Sequence, residues 1–257
     1  MEQIKKMMHE NKIKHSEVEY TGEKCDGCGK DLKIVQITFA DGEVKENESG
    51  CICDRIKFVN DQQKKIKADA FAKASIMHGD YKEKTFDNYQ ANSDEQVQAT
   101  KKMRYYANHF DEMLSESNCL LVQGTFGTGK THLAAAVRNQ LRAQDYQVLF
   151  ISLPDYVDKL KQGFKDLNQV HPIFKFAKEA DLLILDDVGA NRMSEWEVSE
   201  LFRLVDARRN KCTIYTTNLT SEQFRSSQAL YRVFSRMMEK AKAIVIDGDD
   251  YRMKGVK

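Results

Sequence analysis

Gly124-Thr125-Phe126-Gly127-Thr128-Gly129-Lys130-Thr131 satisfies G-x-x-x-x-G-K-[ST] at every position. The apolar run Cys119-Leu120-Leu121-Val122 precedes it, and the helix-forming run His132-Leu133-Ala134-Ala135-Ala136-Val137 follows. Strand, glycine loop and helix in that order make a phosphate-binding P-loop. The spacing follows from the chemistry. Gly124, Gly127 and Gly129 let backbone N–H groups close on phosphate oxygens, with Thr125, Phe126 and Thr128 between them. The helix beyond, entered through Lys130, Thr131 and His132, turns its positive dipole end toward the same anion. Lys130 supplies an ammonium for the β- and γ-phosphates, and Thr131 a hydroxyl for Mg²⁺. The alternative is a glycine-rich turn with no ligand, and the strand and helix in register argue against it.

Outward from the loop, further strand-like runs occur at 148–152, 182–186, 212–216 and 243–247, with helical stretches between them. That alternation predicts an α/β fold, a doubly wound and mostly parallel sheet with helices on both faces. Leu182-Leu183-Ile184-Leu185 suits a central strand buried on both sides. Asp186 and Asp187 end it on the edge where ligands bind in open α/β sheets. This fits a Walker B motif: Asp186 for Mg²⁺, Asp187 to polarise the attacking water. The next strand ends in Asn218, placed either to orient water beside the γ-phosphate or to cap the following helix. Arg232 and Arg236 are four apart and share a helix face. That face fits either surface ion pairs or an arginine that stabilises charge on the γ-phosphate.

The chain has 257 residues, 41% hydrophobic and 31% charged, with net charge +1. These values suit a globular protein of one large or two modest domains. Near-neutral charge argues against strong non-specific nucleic-acid binding, though not against a local basic groove. No apolar run reaches transmembrane length and no signal-peptide pattern opens the chain, so a cytoplasmic location is expected. The expected division is residues 1–80 and 81–257.

Six cysteines in such a chain point to metal or buried thiols. Cys119 and Cys212 fall in apolar runs and read as core. Cys25-x-x-Cys28 and Cys51-x-Cys53 flank a predicted hairpin, with strands at 34–39 and 43–45 around Asp41-Gly42. A hairpin that brings the two pairs together would form a four-thiolate zinc site. A redox C-x-x-C or free thiols are the alternatives, and His15 is a candidate replacement ligand. Zinc would be structural, since so small a region has little core. Ile4, Met7, Met8 and Ile13 share a helical face at the N-terminus, a candidate partner contact or packing surface. Residues 54–78 read as a second helix, with lysines on its solvated face and a stop at Gly79.

The loop in GTFGTGKTHLAAAV, the acids in LLILDDVGA, the strand IYTTNL and the arginine helix RVFSRM occur in order. Together they resemble the AAA+ core of DnaC/DnaI-type replicative helicase loaders. The resemblance spans roughly residues 81–252, and the cysteine-bearing N-terminal region is closer to the DnaI side. IstB-type transposition ATPases share much of this core. The resemblance implies a five-stranded parallel AAA+ sheet without a lid subdomain, since ten residues follow Asp247. It implies that ATP is used to engage a ring helicase and deliver it onto single-stranded DNA, with self-association through the AAA+ interface. Phe86, in YKEKTFDNYQ, would lie near the adenine, and AKAIVIDGDDYR would form the last strand and tail. Arg236 would act in trans, and Arg232 in cis. Asp187 stands where Glu is usual, which implies slow turnover. A DNA-contacting helical insertion would fall at residues 153–180, with Lys159, Lys161, Phe164 and Lys165. That stretch also fits an ordinary amphipathic helix with Phe164 in the core. Two other readings of the whole chain are a transposition-associated ATPase on duplex DNA and a zinc-bearing adaptor using ATP as a binding switch.

Overall fold

A computed structural model describes residues 13–49, 51–163, 171–190, 193–248 and 250–251. The chain divides into two compact units, one ending at Gln63 and one starting at Lys64. Among the described residues no helix is long and apolar enough to cross a membrane.

The first unit holds an antiparallel meander of β1 (Ile13–Lys24), β2 (Asp31–Phe39) and β3 (Val44–Ser49). The Asp41-Gly42 turn between β2 and β3 is the expected one, with Gly42 at φ +89°. β1 differs from expectation, because Ile13 opens a strand and pairs with Phe39 instead of extending a helix. The long β1–β2 pairing decides its conformation, and no local periodicity announces that. Ile4, Met7 and Met8 lie outside the described residues. Helix α1 (Cys53–Ala74) follows and carries the chain into the second unit. It stops before the expected Gly79. Ser75 and Ile76 instead become extended: the Ile76 amide donates to Phe150 and its carbonyl accepts from Ser152, at 2.8 Å each. A sheet-edge ladder thus ends the helix earlier than its sequence period suggests. Gly79 begins a short 3-10 turn, Gly79–Glu83.

The second unit alternates helix and strand: α2 (Asp94–Asn108), α3 (Phe110–Glu116), β4 (Cys119–Gly124), α4 (Lys130–Arg142), β5 (Val148–Ser152), α5 (Leu153–Gly163), α6 (His171–Glu179), β6 (Leu182–Val188), α7 (Glu195–Ala207), β7 (Thr213–Thr217), α8 (Ser221–Phe224), α9 (Gln228–Met237) and β8 (Ala241–Ile246). The strands form one parallel sheet in the order β5-β6-β7-β4-β8. Each run falls where the sequence places it, within two residues at each end.

Side-chain alternation explains why the strands are continuously apolar. Leu120, Val122, Phe150, Leu182, Ile184 and Ile214 face a core shared with α2, α3 and α4. Leu121, Leu149, Ile151, Leu183, Leu185 and Tyr215 face the opposite core, shared with α5, α6, α7 and α9. A strand buried on both faces has no polar face to show. Ala134, Ala135 and Ala136 let α4 seat closely on the sheet, and all three are buried. Arg208, also buried, donates to the carbonyls of Ala177 (3.2 Å) and Ala180 (2.6 Å). It thereby satisfies the end of α6 and ties it to the start of β7.

The site follows from the strand order. β7 lies between β4 and β6, so its end, Thr216-Thr217-Asn218, stands between the P-loop and the acid pair.

Candidate functional site

The P-loop turns from β4 into α4. Gly129 is left-handed at φ +84°, and a Cβ there would overlap the ring of Tyr89. The Tyr89 hydroxyl donates to the Thr128 carbonyl at 2.7 Å, and burial raises its pKa to about 12. The buried Gln96 also lies within 3.5 Å of the same carbonyl. The loop is thus held from outside by α2 and the segment before it. Lys130 is buried, and its ammonium donates to the carbonyls of Gly124 (3.0 Å) and Thr125 (2.6 Å). This places the charge over the loop, where phosphate oxygens bind.

One hydroxyl organises both acids. Thr216 Oγ1 donates to Asp186 Oδ1 at 2.6 Å and accepts from the Asp187 amide at 2.9 Å. Thr131 Oγ1 donates to the same Asp186 oxygen at 2.9 Å. The β6–β7 register shifts between Leu185 and Val188, and Asp187 is left-handed at φ +57°. A bulge and a strained residue at the strand end aim a side chain that the plain ladder would turn elsewhere.

Asp186 is 1% exposed. Burial first, and then the Asp187 charge, push its carboxyl up to about 7, against the pull of Thr216, Thr131 and Lys130. A carboxylate so short of positive charge suits a divalent cation. Thr131 and Asp186 are the residues placed to hold one.

These groups open on a cleft of about 670 Å³. Lys130, Thr131, Asp187 and Asn218 line it, together with Tyr81, Asn88, Tyr89 and Gln90. Phe126, Gly127, Thr128, Gly129 and His132 also line it. Burial lowers the His132 pKa, and its Nε2 lies 2.8 Å from the Thr85 carbonyl. Gly124 packs on β8, where a Cβ would overlap the Ile246 carbonyl. Thr125 is exposed and donates to the Gly248 carbonyl at 2.9 Å. Phe86 is in the core with Ala99 and Met103, beneath the Arg104 guanidinium, and is not among the lining residues. Its near neighbour Tyr89 occupies the lining position. Tyr89 lies in the same YKEKTFDNYQ segment, but nothing local in the sequence signals its reach to a P-loop carbonyl.

Neither arginine of α9 lines this cleft. Arg232 stacks over Phe202, 4.3 Å from the ring centre. Arg236 pairs with Glu239 (3.0 Å) and lies 3.2 Å from Asp206, although its Nε makes no well-aligned hydrogen bond. Of the candidate DNA residues, Lys159 is exposed on α5. Lys161 pairs with Glu197 at 2.8 Å and, with the Ser194 amide, holds that carboxyl down to about 2. Phe164 and Lys165 lie outside the described residues.

In the first unit, Cys25 and Cys28 occupy the β1–β2 turn. Lys33 pairs with Ser49, so β3 ends beside that turn and delivers Cys51 and Cys53 to it. The four sulfurs lie within 4.8 Å of one another. Tetrahedral zinc with Zn–S bonds of about 2.3 Å separates its sulfurs by about 3.8 Å, so the set fits zinc. Gly27 belongs to the same cradle, where a Cβ would press on Cys53 Cβ at 3.3 Å. A hydrogen bond with Cys51 is the main cause that lowers Cys25 to about 7, and one with Cys28 helps raise Cys53 to about 12. His15 is not part of the cluster, and its Nε2 lies 3.0 Å from Glu17.

Residues 43–257 match the profile of the IstB-like ATP binding proteins. The chain belongs to that family. It is also similar to the replicative helicase loader DnaC of Escherichia coli strain K12, 29% identical over 174 residues, 66% of this chain and 69% of that relative. The replicative helicase loader DnaI of Bacillus subtilis strain 168 is 28% identical over 147 residues, 52% of this chain and 47% of DnaI. Among solved structures, the DnaC helicase loader superposes with a TM-score of 0.55 at 27% identity, covering 66% of this chain and 99% of that one. The five-stranded parallel sheet and P-loop are therefore an AAA+ core of the DnaC/DnaI type, and the fold is that of a nucleotide-binding ATPase.

Proposed function

We propose that this protein is an ATP-dependent loader of a replicative ring helicase, acting on single-stranded DNA. The observation that supports it most is the joint placement of Lys130, Thr131, Asp187 and Asn218 around one cleft, with Asp186 bonded to Thr131. It stands in a chain similar over two-thirds of its length to DnaC. Magnesium bound with ATP would neutralise charge on the β- and γ-phosphates, held by Thr131 and Asp186. Lys130 binds the same phosphates. Asp187 orients and polarises the attacking water, and Asn218 shares that task from the end of β7. Arg236 and Arg232 do not line their own chain's cleft. Arg236 is assigned as the finger at the cleft of a neighbouring copy, whereas Arg232, stacked on Phe202, does not take the cis position that the resemblance implies. Hydrolysis is slow, because the shorter Asp stands at the water-activating position.

The first unit, up to Gln63, is the zinc-stabilised helicase-gripping domain, and the second, from Lys64 and including Ile76 on β5, is the ATPase, so the boundary falls earlier than the expected residue 80. Lys159 is the DNA contact best supported among the described residues, since Lys161 is engaged by Glu197.

Co-purification with the host's replicative ring helicase, with and without Mg·ATP, tests the reading. A complex is expected, and its stability should change with nucleotide. No complex in either condition overturns the loader assignment. Capture of a transposase on duplex DNA instead would favour the IstB-type reading.

A further inference from the structure

The segment after β8 is built onto the P-loop. Gly124 touches Ile246 so closely that no Cβ fits between them. Beyond Ile246, the Thr125 hydroxyl donates to the Gly248 carbonyl at 2.9 Å. Asp250 lies against Gly127, where a Cβ would overlap its carboxylate. The Tyr251 amide donates to the Gly127 carbonyl at 3.2 Å. The Tyr251 hydroxyl donates to Gln90 Oε1 at 3.0 Å. Tyr251 is therefore anchored at two points, its backbone on the phosphate loop and its phenol on the segment that carries Tyr89. Its ring lines the same cleft as Tyr89, Lys130 and Thr131, and remains 47% exposed.

We propose that Tyr251 is the aromatic wall for the base of the bound nucleotide. This rests on the nucleotide-binding reading above. Lys130, Thr131 and Asp186 fix the phosphate end of the cleft. With the phosphates taken by those groups, the uncharged part of the nucleotide is what an exposed ring in the same cleft can receive, and a phenol ring suits a purine face. Asn88, Gln90 and Lys84 line the same cleft and offer polar partners for the base edge. Nucleotide selection thus depends on residues that follow the last strand, far in sequence from the P-loop.

The test is calorimetric binding of Mg·ATP and Mg·tripolyphosphate to the full chain, for wild type, Tyr251→Ala, Tyr251→Phe and Lys130→Ala. Aromatic–base contacts, scaled down for a half-exposed ring, predict that Tyr251→Ala weakens ATP by about 5- to 20-fold. Tripolyphosphate, which has no base, should change less than about 2-fold by the same reasoning. Tyr251→Phe keeps the ring and should stay within about 3-fold of wild type for ATP. Lys130→Ala should weaken both ligands. Unaltered or tighter ATP binding by Tyr251→Ala overturns the proposal, as does equal loss of both ligands. Equal loss in Tyr251→Phe and Tyr251→Ala also overturns it, because the hydroxyl and not the ring would then matter. Failure of wild type to bind either ligand would sink the nucleotide reading itself. Fluorescence of Trp196, the single tryptophan, verifies that each variant is folded.

Discussion

Asp186→Asn is predicted to stabilise the nucleotide-free ATPase at neutral and alkaline pH. The folded protein raises this carboxyl from an ordinary 3.8 to about 7, through burial and then Asp187. At about 1.4 kcal/mol per pKa unit, keeping it ionised costs the fold about 4 kcal/mol. The sign follows from proton binding. Between pH 4 and 7 the unfolded chain has released a proton that the native protein still holds. Stability from this group is complete below about pH 4 and is lost as pH climbs through 7. Asparagine cannot ionise, and its Oδ1 still accepts from Thr131 and Thr216. The variant should therefore be the more stable form, by a margin that grows about 2 kcal/mol between pH 5.5 and 8. Urea unfolding followed by Trp196 fluorescence measures this in the unit that contains the site. Comparison with wild type at each pH cancels the other titrating groups, His132 among them. Mg·ATP should reverse the order, since asparagine is a poor cation ligand and bound nucleotide stabilises only the form that holds it. A margin that stays constant with pH, or a variant less stable at pH 8 without nucleotide, would refute the assignment of Asp186 as a buried, charge-starved carboxylate.

Thr216→Val removes the hydroxyl that serves both acids. Turnover should fall about 10- to 100-fold with ATP affinity nearly unchanged, and Thr216→Ser should restore most of it; an affinity loss as large as the rate loss would contradict the positioning role. Asp187→Glu brings the carboxylate nearer the water and should raise single-turnover hydrolysis by several-fold, on the order of 1 kcal/mol in barrier; a slower variant would mean that the left-handed Asp187 backbone already sets the productive reach. Metal analysis should find one zinc per chain, and Cys53→Ser should abolish it. Chelation should then remove amide protection across residues 13–49, and unchanged hydrogen exchange there would reject the metal.

The sequence declared its chemistry most clearly where the function is local. Lys130 and Thr131 are adjacent to the glycines that fold the loop, and Asp186 and Asp187 end a run whose apolar character alone places it in the sheet centre. Thr216 was equally visible, two residues before Asn218, but its role arises from strand order: only because β7 lies between β4 and β6 does its hydroxyl meet both acids. Phe86 shows the converse. An aromatic in the right segment reads as a base contact, yet Phe86 is buried with Ala99 and Met103, and Tyr89 reaches the loop. The end of α1 was hidden for the same reason, since its helical period continues while Ile76 finds partners on β5.

The same distinction bears on how the site could signal. Lys130, Thr131 and Asp186 are held by strands and a helix, whereas Tyr89, Gln90 and Tyr251 line the cleft from segments outside the five-stranded sheet. Tyr89 and Tyr251 are bonded to the Thr128 and Gly127 carbonyls, so a nucleotide seated on the loop is coupled directly to both segments. Under the proposed loader function, that coupling suits a switch better than a motor.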